Sequence, residues 1–250
     1  MDHLTSDEAI PGPSQWGWFS FSLGEYRPCP EWFYTYWGFP YDSLPPISGV
    51  TFTGDFQWLT PLEGDLGGLG RRYRPSSEER AEITARVGAI EAQARYLGLT
   101  LPPGFLRFMA SPELQDRIPS CTDCTFWLPD RIVPYPGRDN GYVIAFLSDS
   151  QACGIWHLYL TTDGAHRVLE APLEFVELTT QAAQCSAATL DDILAHVYLC
   201  GPTFEEFLYR FWLENMLWYH LTDDSTVGAQ TKPRPYTEAQ QQYLAHYATK

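Results

Sequence analysis

The stretch FEEFLYRFWLENMLWYHL, Phe204–Leu221, constrains this chain more than any other. Thr203 and Glu206 have the spacing of a capping box, so the segment predicts a helix entered at Phe204. Wound at 3.6 residues per turn, it carries Phe204, Phe207, Leu208, Phe211 and Trp218 on one face. Trp212, Leu213, Met216 and Tyr219 widen that face until little polar surface is left. A helix of this kind must be covered on more than one side. The chain therefore has to supply at least two layers around it.

One layer is legible as strands. YVIAFL (142–147) is a continuous apolar run, IWHLYL (155–160) alternates in part, and HRVL (166–169) follows a TTDGA loop. Asp163-Gly164 is a strong turn pair, so residues 155–169 predict a hairpin. FVEL (175–178) is a further strand candidate, and Leu190, Ile193, Leu194 and Val197 predict a helix behind a Thr189/Asp192 cap. The second layer is aromatic: WGWFSF (16–21) and EWFYTYWGFPY (31–41) show neither a helical nor an alternating period. Such a region lacks a core of its own, and packing on the 204–221 helix would give it one.

Ser76 with Glu79 predicts the start of another helix, whose Ile83, Val87, Ile90, Ala94 and Leu97 form one apolar stripe and which Gly98 ends, giving a span of 77–97. Leu-Thr-Leu-Pro-Pro follows, and a proline is tolerated in the first turn of a helix because its missing N–H is not needed there. FLRFM (105–109) thus predicts a short second helix packed back on the stripe. A last short helix is expected over 237–247 in an otherwise polar C-terminal tail.

Chemistry is hard to find. Cys121-Thr-Asp-Cys124 has a metal-like spacing, but a structural zinc site needs four ligands, and Cys153 and His157 would have to come from the strands. Two unreactive thiols are the simpler reading. The six cysteines are too thinly spread for a disulfide scaffold. His157 and His166 lie on opposite arms of the hairpin, where cross-strand packing explains them without catalysis. GDLGGLG (64–70) lacks the Gly-Lys-Ser/Thr ending of a phosphate loop. No Gly-x-Ser-x-Gly elbow is present, and the acids at 191, 192, 205 and 206 stand where helix N-termini favour them. These observations predict a non-enzyme without metal or cofactor.

Charge narrows the partners. With 31 acidic against 16 basic residues the formal net charge is −15, which repels phosphate backbones and anionic lipid and attracts basic proteins. No apolar window is long enough for a membrane span, and MDHLTSDEAIPGPS lacks a basic or apolar leader pattern, so a cytoplasmic chain is expected.

Taken in order, three segments carry a resemblance. IEAQARYLGLTLPPGFLRFM (90–109) gives a helix, a Leu-Pro step and an aromatic short helix; GYVIAFLSDSQACGIWHLYLTTDGAHRVL (141–169) gives a strand, an Asp-centred turn and a Trp-bearing hairpin; FEEFLYRFWLENMLWYHL gives a Phe-rich terminal helix. Together they resemble the SUKH superfamily, which unites a fungal regulator of cell-wall synthesis with bacterial immunity proteins that neutralise polymorphic toxins. The chain departs from that pattern in lacking the Gly-Gly pair after the Leu-Pro helix, and the region before residue 76 is outside the common core.

The resemblance implies an α+β fold, an antiparallel sheet flanked by helices, in a core spanning 76–221 between an aromatic-rich N-terminal extension (1–75) packed on it and a polar tail (222–250). It implies binding rather than catalysis, with a cognate basic toxin, for instance a nuclease, as the partner. Residues 139–214 hold eleven acids against Arg167 and Arg210, a net of −9, and predict an acidic surface on the sheet and its loops. Asp139, Asp149, Asp163 and Glu170 are the expected contacts, with Trp156 either a buried anchor at the interface or a core residue. A signalling or assembly scaffold like the fungal branch is the alternative, ahead of a carbohydrate-binding or enzymatic domain.

Overall fold

The computed structural model describes residues 15–30, 36–62, 76–137, 140–151, 153–171, 175, 187–221 and 235–248. Helix α1, Ser77–Tyr96, is entered through both bonds of a capping box: Ser76 Oγ accepts from the Glu79 N–H at 3.2 Å and Glu79 Oε2 accepts from the Ser76 N–H at 2.7 Å. It ends where Gly98 turns left-handed, at φ +69°, and the Leu99 N–H closes on the Ala94 carbonyl at 2.8 Å. Only Ile90 and Ala94 of this helix are fully buried. Gln93 fixes it sideways by bonding both the N–H and the carbonyl of Ile132 through its amide.

Helix α2, Phe105–Met109, has the span the sequence predicts, and its N-cap is Gly104 in left-handed conformation. Phe105, Phe108 and Met109 share one core with Ile90 and Ala94 of the α1 stripe, and the two rings reach further. Phe105 packs edge-on against Phe146 and Phe204, and Phe108 against Phe56, Phe126 and Phe204, at the centre of the main core. A single turn, α3 (Pro112–Gln115), follows, capped by Ser111.

The sheet contains β3 (Thr125–Phe126), β4 (Val133–Pro134), β5 (Tyr142–Ser148), β6 (Ile155–Leu160), β7 (His166–Ala171) and β8 (Tyr198–Gly201), in the order β3-β5-β6-β7-β8 with β4 also on β5. All its pairings are antiparallel. The β6–β7 hairpin turns at Asp163-Gly164 as the sequence predicts, with Gly164 at φ +90°. His157 pairs with Leu169 and His166 with Leu160, so the two histidines do not face each other. Phe175 is helical rather than extended; the rest of the expected 175–178 strand lies outside the described residues.

Alternation along the strands divides the sheet into two apolar faces. Ile144, Phe146, Trp156, Leu158, Leu160 and Val168 belong to the main core. Val143, Tyr159, Leu169, Ala171 and Leu199 build a second, smaller core with Tyr135, Phe175 and Val197, against which Ile193 and Leu194 of helix α4 (Ala187–Leu194) pack.

Helix α5, Phe204–Leu221, is the middle layer its composition requires. Phe207 and Phe211 meet Trp156 on the sheet side. On the other side Trp58 packs edge-on to Tyr209 at 5.1 Å and against Trp212 at 5.7 Å, and Phe52 also meets Tyr209. The aromatic N-terminal region is therefore folded onto the core, as β1 (Gly17–Ser20) paired with β2 (Trp37–Pro40), a tight turn at Tyr41–Ser43, and an irregular path through residues 44–62. A parallel bridge of Trp16 to Leu199 joins this small sheet to the edge of the large one. Helix α6, Glu238–Ala248, buries Gln240, Tyr243 and Leu244, so part of the expected polar tail is core.

Two glycines mark a close passage of backbone over backbone. A Cβ on Gly104 would lie 2.7 Å from Gly54 Cα and from the Gly54 carbonyl, and both glycines have φ near +80°. The Leu-Pro-Pro hinge thus carries the N-terminal region directly on its far side.

Candidate functional site

Buried carboxylates dominate the chemistry of the interior. Glu214, fully enclosed on α5, accepts from Arg27 at 2.5 and 2.8 Å, from Trp18 Nε1 and Ser20 Oγ at 2.7 Å each, and from the Tyr243 hydroxyl at 2.6 Å. Burial alone would raise this carboxyl, but the Arg27 guanidinium and the converging donors outweigh it and hold Glu214 below its usual range. Its neighbour in the sequence pattern, Glu205, accepts from the Gly54 N–H at 2.5 Å and from Trp58 Nε1 at 2.9 Å. Both acids tie the N-terminal region to α5 and use their lone pairs in doing so.

The residues expected to meet a partner are dispersed. Asp139 lies outside the described residues. Asp149 is buried and accepts from the Cys153 N–H at 2.6 Å, closing the β5–β6 turn. Asp163 is exposed and organises the β6–β7 turn, accepting from Thr161 Oγ1 and from the Ala165 N–H at 3.0 Å; these bonds lower its pKa. The two aspartates thus occupy opposite ends of β6, about 17 Å apart by strand rise. Trp156, 1% exposed and surrounded by Phe19, Tyr36, Phe207 and Phe211, is core and offers a partner no surface. Glu170, its cross-strand neighbour, is 2% exposed, and burial pushes its pKa well up.

Counting charge along the sequence overstated the acidic surface for the same reason. Of the eleven acids in 139–214, Asp149, Glu170, Glu205 and Glu214 are buried. Asp163, Asp191 and Asp192 are exposed and Glu206 is half-buried.

The Cys121-Thr-Asp-Cys124 segment is a structural loop. Asn215 on α5 accepts from the Cys121 N–H at 2.8 Å, Ser120 Oγ from the Cys124 N–H at 2.8 Å, and the Tyr36 hydroxyl reaches Thr122 Oγ1 at 2.7 Å and Cys124 Sγ at 3.4 Å. Burial pushes both thiols up, which disfavours the reactive thiolate. Among the described residues no group of three or more His, Cys, Asp or Glu is placed to hold a metal ion. No helix among them is long and apolar enough to cross a membrane.

On the outside, two large hydrophobic side chains stand well exposed among the described residues, Trp16 at 42% and Tyr96 at 88%. Tyr96 ends α1. Trp16 is held: its ring centroid lies 5.0 Å from that of Tyr41, tilted by 54°, and its backbone is pinned by the bridge to Leu199 and by the Leu199 N–H on the Gln15 carbonyl at 2.8 Å. The Tyr41 hydroxyl donates to Glu206 Oε1 at 3.4 Å. Glu206 makes no ion pair with the described residues; burial raises its pKa, against the opposing influence of Arg210 one turn on. Arg210 is turned inward, donating to the Pro45 carbonyl at 3.0 Å and to the Tyr243 hydroxyl at 3.1 Å. Sequence reasoning missed this corner, because only the tertiary fold brings position 206 beside 41. Among the described residues, a recess of about 160 Å³ lies between α1, α2 and β3, lined by Ile83, Arg86, Met109 and Trp127 among others.

Compared with protein-family models, curated proteins and solved structures, the chain matches none of them.

Proposed function

We propose that this chain is a non-catalytic protein-binding module of SUKH type, an immunity protein that binds and occludes a basic toxin domain. The observation that carries the reading is the succession of elements. A capped helix, a Leu-Pro step into a short aromatic helix, an antiparallel sheet with a hairpin at Asp163-Gly164, and a Phe-rich helix laid on one sheet face follow one another in the resembled order. A net charge of −15 favours a basic partner and speeds its approach. The interior acids support binding over catalysis, since Glu205 and Glu214 are committed to holding the N-terminal region.

The test is co-expression with toxin genes adjacent to its own locus. Restored growth and a stable complex with one product are expected. Absence of rescue and of complex formation with every neighbouring product would remove the immunity reading.

A further inference from the structure

The corner of Trp16, Tyr41 and Glu206 is a place where the surface departs from what a solvated face requires. An exposed tryptophan is ordinarily mobile, whereas Trp16 is braced by a ring on one side and a backbone bridge behind it while 42% of it stays open. A half-buried carboxylate ordinarily finds a cation. The helical neighbour four residues on is the natural one, yet Arg210 spends its guanidinium on Pro45 and Tyr243 and lies over the rings of Trp18, Tyr41 and Tyr243. Tyr41 links the two features, with its ring against Trp16 and its hydroxyl on Glu206. Asp42, exposed beside it, adds negative potential.

We propose that this corner anchors one arginine or lysine side chain of a basic protein partner. The inference rests on the binding reading above for the nature of the partner. A guanidinium laid on the exposed part of the indole gains a cation–π contact, and its N–H fork is offered to a carboxylate that makes no ion pair with the described residues. Arginine suits the corner better than lysine, because a planar cation can stack and donate at once. The aromatic wall is pre-positioned, so little side-chain entropy is lost when the cation arrives. Small, rigid, aromatic-plus-acid sites of this kind concentrate binding energy at interfaces.

The test uses a fluorescein-labelled peptide of alternating glycine and arginine, with lysine and citrulline versions, read by anisotropy and by the Trp16 indole resonance at low salt. The arginine peptide is expected to bind and to shift that resonance, the lysine peptide to bind more weakly, and the citrulline peptide at least ten-fold more weakly. Trp16→Ala and Glu206→Gln should each weaken the arginine peptide at least five-fold, while the double variant D191N/D192N on α4 changes it less than two-fold. No binding, equal binding of citrulline, or equal losses in all variants would overturn the corner. If the wild type rescues growth against a toxin and Trp16→Ala rescues equally, the corner falls and the immunity reading stands. If the peptide discriminates as expected but no toxin is neutralised, the immunity reading alone falls.

Discussion

Arg27 and Glu214, 187 residues apart in sequence, hold each other through two bonds of 2.5 and 2.8 Å in a place closed to solvent. An ion pair so enclosed gains little over an apolar pair, but losing one member strands the other. Arg27→Met should destabilise the protein by about 3–5 kcal/mol in urea unfolding. R27M/E214Q should recover part of that loss, because no unpaired charge is left inside. A double variant as unstable as the single one would show that packing, not charge, sets the cost.

His157 gives the acid limb of stability a specific source. Both ring nitrogens are buried, with no hydrogen-bond partner among the described residues, and burial lowers the pKa from 6.5 to about 3. The folded state prefers the neutral ring, so stability is intact above 6.5 and is lost as pH falls towards 3, by up to about 4–5 kcal/mol. His157→Leu should match or exceed the wild type at pH 7.5 and gain on it by about 2–3 kcal/mol at pH 4.5. Parallel stability curves over that range would assign the acid limb to other groups.

Glu170 acts with the opposite pH trend. Burial raises its pKa well above 4.5, so the folded state prefers the protonated acid. Its contribution is complete below pH 4.5 and declines as pH rises through the folded value. Glu170→Met should equal the wild type in stability near pH 4 and gain on it by about 1.4 kcal/mol per pH unit above that, until the folded value is passed. Thermal unfolding across pH 4–9 reads this directly.

At the hinge, Gly104→Ala should cost about 2–5 kcal/mol, since left-handed strain adds to a clash with the Gly54 backbone. Gly49 is the control: its φ is +74° but nothing lies within 4 Å of a new Cβ, so Gly49→Ala should cost about 1–2 kcal/mol. Equal losses would mean that the two backbones separate without penalty.

Legibility followed periodicity. The capping box at Ser76, the apolar run at 142–147, the Asp163-Gly164 turn and the stripe of α5 are local signals, and each became the element it predicted. Strands β1, β2 and β8 carried no such signal. WGFP and YLCG are four residues long, and their pairing partners lie far away in sequence. Surface charge was misread because sequence shows that an acid is present but not which way it points. Glu205 and Glu206 are adjacent on α5, yet one bonds Gly54 inside and the other faces the Trp16 corner. Trp156 had both readings open, and the rings on every side of it decide for the core.

The hub at Glu214 has a consequence for how the chain is made. Trp18, Ser20 and Arg27 are synthesised before their acceptor, which follows 196 residues after Trp18, and Tyr243 completes the set another 29 residues on. At about 5–20 residues per second the first donors wait on the order of 10–40 s for their carboxylate. The early aromatic segment is therefore an unsealed, sticky surface throughout that interval. Its closure waits for residue 243 to emerge, and the yield of native protein should depend on what shields that segment until then.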